Sequence, residues 1–275
     1  MQARSIWERM MRIDRRILYV ILAVNIIGAL MARVAIEPDI PPPVKRFYDT
    51  IEALQPGDMV MVSSTWSAGT LAENQPQFEA VLKHLMRKRV RFTIISFAPP
   101  ARDISHRLAR RLTEDFGYVE GKDWTHFGYM PDITIAIKGM SEDIVQTIRQ
   151  DVRRVPIAEL EVMKGVKSLK DYKLVVDVTP SDTLTYWISY RPPNLKILYC
   201  PTSVMAAEAY TFLDSGQILG MITGAKGAYE YERLLGIVGL GTRFINAIQF
   251  SHVLIIFFIL LGNFGMLMQR RASAS

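Results

Sequence analysis

The sequence predicts a doubly wound α/β domain with a mainly parallel sheet of five or six strands, flanked by one N-terminal and one C-terminal transmembrane helix. Three observations lead there. Between residues 48 and 235, short β-rich runs alternate with longer stretches of helical periodicity, the signature of right-handed β-α-β units. Those runs are near-continuously apolar, as strands of a sheet covered on both faces must be. Two long apolar segments, 17–36 and 245–268, lie outside this region, each with arginines on its outer flank.

The chain opens on a basic tail, residues 1–16, with Arg4, Arg9, Arg12, Arg15 and Arg16 against Glu8 and Asp14. Segment 17–36 (ILYVILAVNIIGALMARVAI) follows, with Arg33 as its only charge. About twenty apolar residues rising about 1.5 Å each cross a hydrocarbon core of about 30 Å. A basic flank stays in the cytoplasm, so the segment leads outward and the main domain is expected to be extracytoplasmic. Ala29 and Ala32 hint at signal-peptide cleavage, but signal cores are shorter, about 7–15 residues, which favours an uncleaved anchor. Residues 37–47 contain Pro38 and the run Pro41, Pro42 and Pro43, and are expected to form an extended stalk.

Within the domain, strands are expected at 59–64 (MVMVSS), 90–97, 133–137 (ITIAI), 173–178, 195–199 and 217–222. Helices are expected at 75–88, 102–116, from a Ser141 cap to about 152, from Ser181 or Asp182 to 189, 203–214 and 228–235. Segment 156–169 has no clear period and is expected to be loop plus helix. Residues 236–244 are apolar and glycine-rich, as a membrane-interface segment would be. Segment 245–268 is the second expected crossing, with Arg270 and Arg271 in the tail 269–275. Both termini are therefore expected in the cytoplasm of a two-pass protein of the cell membrane.

The formal charge of +6 is mostly placed at the ends: five arginines and two acids before residue 17, and two arginines after residue 269. The near-neutral remainder argues against a nucleic-acid surface. Roughly 210 residues remain between and around the spans, enough for one well-filled core. A single cysteine, Cys200, excludes an intramolecular disulfide framework.

Open parallel sheets bind ligands beyond the carboxyl ends of their strands, at a topological switch point. Three loops there carry candidate ligand-binding residues. After the first strand, Ser63, Ser64, Thr65, Ser67 and Thr70 cluster about Gly69, without the first glycine of a G-x-S-x-G elbow. After the fourth, Asp177 and Asp182 present two carboxylates, with no third ligand that would make a metal site. After the sixth, Thr223, Gly224, Lys226 and Gly227 resemble an anion-cradling turn but match neither a Walker A loop nor G-x-G-x-x-G. A small anionic ligand is the class these loops suit, and no cofactor or metal is expected. Cys200 reads as a buried thiol, since none of His84, His106, His126 and His252 is placed to serve it as a base. Tyr118, Trp124, Phe127 and Tyr129, around His126, read as packing ahead of the third strand.

Within the apolar segments, Asn25 with Gly28 and Ala32, and Asn263 with Gly262 and Gly265, are candidates for helix–helix contact. No catalytic constellation is complete. The composition therefore points first to a binding or assembly component of a membrane complex, either a homo-oligomer or one including another membrane protein. A membrane-anchored hydrolase or transferase with its site at the carboxyl ends of the strands is the alternative. A cytoplasmic nucleotide-dependent enzyme would contradict both topology signals.

Overall fold

The computed structural model describes residues 13–32, 34 and 37–274, and for 272–274 the backbone only. Arg4, Arg9, Arg12, Glu8 and Arg33 lie outside the described residues. The chain divides into two units: Glu37–Gly241, and a second made of its two ends, Met1–Ile36 and Thr242–Ser275.

The 37–241 unit is built on six parallel strands: β1 Met59–Ser64, β2 Arg91–Ser96, β3 Trp124–Tyr129, β4 Leu174–Thr179, β5 Lys196–Pro201 and β6 Gly220–Met221. Their order is β3-β2-β1-β4-β5-β6 with every pairing parallel. That is the Rossmann-type arrangement, in which the winding reverses between β1 and β4. β1 and β4 are buried along their whole length, and their alternate residues feed two cores. Val60, Val62, Val176 and Val178 face one layer, with α2 (Pro42–Glu52), α3 (Leu71–Arg87), α4 (Pro99–Phe116) and α9 (Gly224–Leu234). Met59, Met61 and Val175 face the other, with α5 (Ile133–Glu142), α6 (Ile144–Ile148), α7 (Thr183–Tyr190) and α8 (Ala206–Asp214).

Three expectations need correction. Segment 133–137 is not a strand but the start of α5; the third strand is Trp124–Tyr129, which contains the aromatic cluster. Asp132 accepts from Ile135 N at 2.9 Å, and this N-cap together with buried Ala136, Ile137 and Met140 outweighs the β-branched bias. Ser141 is then no cap: its hydroxyl donates back to Ile137 O, and Asp143 caps the next helix. The proline stalk is also folded, because prolines are tolerated in a helix's first turn. Pro42 and Pro43 open α2, which buries Val44, Phe47 and Ile51 at helical spacing.

The remaining differences are of extent. Residues 156–169 hold short 3-10 turns, Ile157–Glu159 and Glu161–Met163. β6 has two residues where six were expected, and α9 starts at Gly224 rather than 228. α2 packs closely on β6. A Cβ on Gly220 would meet the Phe47 backbone nitrogen, with Phe47 Cα at 2.7 Å and Pro43 O at 2.9 Å.

The terminal unit contributes α1 (Arg15–Met31) and α10 (Leu240–Ala274, which begins in the 37–241 unit). Among the described residues one helix is long and apolar enough to cross a membrane: Leu240–Arg271, 32 residues, whose most apolar 18-residue window has a mean hydropathy of 2.2 and is 6% buried. Of the two expected crossings, 245–268 lies within this helix. α1 has 17 residues, and the end of its apolar segment lies partly outside the described residues. Asn246 Nδ2 donates to Val34 O at 2.7 Å, whereas Asn25 Nδ2 is buried without a partner. Around Gly28 and Gly262 an added Cβ would touch nothing within 4 Å.

Because backbone atoms cannot yield, Gly220→Ala is expected to destabilise the 37–241 unit by about 1–3 kcal/mol, the usual range for overpacking. Thermal unfolding of the variant beside the parent checks it.

Candidate functional site at the carboxyl edge of the sheet

The winding reversal brings two of the three candidate loops together. Ser63 stands opposite Asp177 and Ser64 opposite Val178 in the β1–β4 register, and Thr65 N donates to Val178 O at 2.9 Å. Ser63, Ser64 and Asp177 are fully buried, and Thr65 nearly so. Thr65 Oγ1 accepts from Phe97 N at 3.3 Å, which ties in the end of β2. Ser67 and Thr70 are half-buried at the entrance to α3, and Asp182 is exposed at the start of α7 without a side-chain capping bond.

Asp177 is the unusual group. One carboxyl oxygen accepts from Thr183 Oγ1 at 2.7 Å, while Oδ1 has no partner. Burial pushes its pKa up to about 7, and the Asp182 charge adds to the rise. Thr183 and Ser63 oppose the shift, although only Thr183 closes a hydrogen bond of good geometry. Ser63 Oγ, Ser64 Oγ, Ser96 Oγ and Thr202 Oγ1 are likewise buried without partners. All stand at or just beyond the carboxyl ends of β1, β2 and β5. Buried polar atoms usually find partners, so this concentration marks the edge as polar by construction.

The third loop lies elsewhere, beyond β5. Thr223, Lys226 and Gly227 line a recess of about 240 Å³ with Ser203, Tyr210 and Glu230. Its glycines answer to packing. Gly224 has φ +57°, and its Cβ would clash with Ser203 Oγ and lie 2.5 Å from Glu73 Oε2. A Cβ on Gly227 would come within 2.8 Å of the Ile222 carbonyl carbon. Glu73 Oε2 accepts from Ser203 N at 2.7 Å and from Ser203 Oγ at 2.5 Å. A carboxylate already holds the donors an anion would use there. Lys226 is exposed and pairs with Glu230 at 3.4 Å.

Neither histidine–hydroxyl pair forms an activated nucleophile. Ser105 Oγ lies 2.9 Å from His126 Nε2, but His126 Nδ1 accepts from Gly128 N at 2.8 Å. Nε2 therefore carries the proton and donates to Ser105, whose own hydroxyl donates to Ala101 O at 2.6 Å. Burial pushes the His126 pKa down to about 3 and keeps the ring neutral. His84 lies 2.6 Å from Tyr231 Oη and 2.9 Å from Glu52, a strut between α2, α3 and α9. Cys200 is fully buried, and burial beside Asp177 raises its thiol well above the ordinary value. Among the described residues no group of three or more His, Cys, Asp or Glu side chains could hold a metal ion.

Sequence reasoning missed Glu73 and Gln77, which lie inside an amphipathic helical pattern and carry no motif. It also missed Ser96 and Thr202, whose role follows only from strand order.

The fold and site together define a Rossmann-type doubly wound α/β unit with a buried polar carboxyl edge. No family model matches the sequence, and no curated protein matches it. Solved structures that resemble the chain include the OtsA apo structure, at 13% identity, covering 89% of this chain and 48% of that one, TM-score 0.36. An α,α-trehalose-phosphate synthase (UDP-forming) from Burkholderia xenovorans in complex with glucose-6-phosphate gives 14%, 90%, 48% and 0.35. A trehalose-6-phosphate protein from E. coli bound with UDP-2-fluoro glucose gives 14%, 90%, 49% and 0.33. The chain spans about half the length of these proteins, and likeness at this level carries no functional information.

Asp177 gives the site a pH signature. A carboxyl raised from its ordinary value to about 7 leaves its contribution intact below about pH 4 and loses it as pH rises through about 7. Asp177→Asn keeps the shape and removes the charge. It is expected to remove a loss of stability on the order of 2–4 kcal/mol between pH 4 and pH 8, read from denaturant unfolding across that range.

Proposed function

We propose that the chain is a membrane-anchored α/β domain that acts as a binding or assembly component of a membrane complex. The observation that carries this reading is the helix Leu240–Arg271, 32 residues long, whose most apolar 18-residue window has a mean hydropathy of 2.2 and is only 6% buried. Bare apolar surface of that extent is stable in lipid and a liability in water. In this reading segment 17–36 is a second span, both termini are cytoplasmic and the 37–241 unit is extracytoplasmic. Arg15 and Arg16 at the start of α1 and Arg270 and Arg271 near the end of α10 support that orientation. A reporter active only outside the cytoplasm, inserted near Gly121, is expected to be on, and a cytoplasm-only reporter off. The reverse pattern would place the domain inside.

Assembly rests on α1. Asn25 Nδ2 has no partner, and the surface around Gly28 is open. An interhelical hydrogen bond in lipid returns only about 0.6–2 kcal/mol, so close packing at Gly28 has to add to it. The detergent-extracted protein is expected to exceed the monomer mass, and Asn25→Leu and Gly28→Leu to shift it toward monomer. A clean monomer, unchanged by either substitution, would leave the segments as simple anchors.

A second reading is favoured by Asp177 alone: a membrane-anchored hydrolase or transferase, with this carboxyl as the acid–base group at the winding reversal. Its complete burial means that substrate would have to open the β1 and β4 loops.

A further inference from the structure

A cavity of about 730 Å³ opens at the amino edge of the sheet, opposite the candidate site. It lies against Asp58, just before β1, and the first residues of β4 and β5. Ligand pockets run from about 300 to 1,000 Å³, so it has room for a sugar-phosphate or nucleotide-sized molecule. Three ammonium groups from three segments stand on it: Lys170 in the 3-10 turn Leu169–Asp171, Lys173 immediately before β4, and Lys196 opening β5. All three are exposed, and none of their ammonium groups has an ion-pair or hydrogen-bond partner among the described residues.

The carboxylates on the same wall are differently placed. Asp58 Oδ2 accepts from Gln55 N at 2.9 Å. Asp171 Oδ2 accepts from Lys167 N at 2.8 Å and Ser168 N at 3.0 Å. One oxygen of each carboxylate is thus engaged with backbone N–H groups, while the three lysine ammonium groups make no bond to either carboxylate. A neighbouring recess of about 390 Å³ shares Thr50, Ala53 and Lys196 and adds Arg46, Asp49 and Leu219, so its added charges cancel. A competing role for the lysines is to offset the C-terminal dipole of α2, which ends at Ala53 in the same wall. One helix end carries only about half a charge, which three ammonium groups exceed.

We propose that this amino-edge groove binds a phosphate-bearing ligand through Lys170, Lys173 and Lys196. Lysine ammonium groups are point charges with three rotatable donors, and they suit phosphate without fixing one geometry. The inference is independent of the assembly reading and of Asp177.

The test uses the full chain in detergent, titrated by calorimetry with pyrophosphate and, separately, with a short-chain phosphatidylglycerol. Saturable binding of pyrophosphate is expected, weakened about tenfold or more in the triple variant K170Q/K173Q/K196Q. K138Q, on α5 and outside the groove, is expected to leave it unchanged. If only the lipid binds and the triple variant loses it, the same phosphate chemistry is lipid-borne and the groove assignment stands. No binding of either probe, or binding equal in the parent and the triple variant, overturns the proposal. Circular dichroism of the triple variant separates loss of ligand from loss of fold.

Discussion

The carboxyl edge of this sheet depends on one buried amide. Gln77, in α3 and fully buried, donates from Nε2 to Pro201 O at 2.7 Å and Ile222 O at 2.9 Å, with Gly224 O at 3.5 Å. Its Oε1 accepts from Asn74 Nδ2 at 2.9 Å. β6 has only two residues, so the ends of β5 and β6 cannot satisfy their carbonyls by ladder pairing alone. A carbonyl buried without a donor costs about 1–3 kcal/mol, and Gln77 serves at least two. The same side chain ties a helix from the first half of the sheet to the strand ends of the second. α9 begins at Gly224, whose lack of a Cβ leaves room for Glu73 and Ser203.

At the winding reversal the balance is different. Asp177, Ser63, Ser64, Ser96 and Thr202 each leave at least one buried polar atom without a partner, so polarity at this edge is not explained by stability. An apolar row would pack as well and cost nothing in desolvation. The edge near β6 is more fully engaged, with the carbonyls of Pro201 and Ile222 met by Gln77 and both donors of Ser203 met by Glu73, although Asn74 Oδ1 and Thr202 Oγ1 stay without partners. Unpartnered atoms remain on both sides, but the carboxyl of Asp177 is found only at the winding reversal between β1 and β4.

Much of the sheet was legible because it obeys one rule: a two-sided sheet needs short apolar runs, and β1, β2, β4 and β5 have them. The third strand hid because Trp124–Tyr129 mixes aromatics with His126 and Gly128, while 133–137 offers a better β composition. Asp132 was the signal that should have decided against it, since an N-cap outweighs the preference of a few β-branched residues. Pro41–Pro43 misled for a related reason: prolines forbid a helix interior but not its first turn. The candidate loops were placed correctly at strand ends, yet which of them meet is a matter of strand order, which lies beyond any local pattern. Gln77 and the amino-edge lysines carry no motif at all, being defined by what folds against them.

Anchorage is the claim on which the functional account turns. The most apolar window of Leu240–Arg271 is almost wholly exposed, and Glu232 caps the helix start by accepting from Gly239 N at 3.1 Å and Gly241 N at 2.9 Å. The most direct measurement is alkaline carbonate extraction of membranes carrying the full chain, beside a fragment limited to residues 37–241. The account predicts that the full chain stays in the membrane pellet while the fragment is soluble and unfolds cooperatively. Release of the full chain into the carbonate supernatant would contradict it.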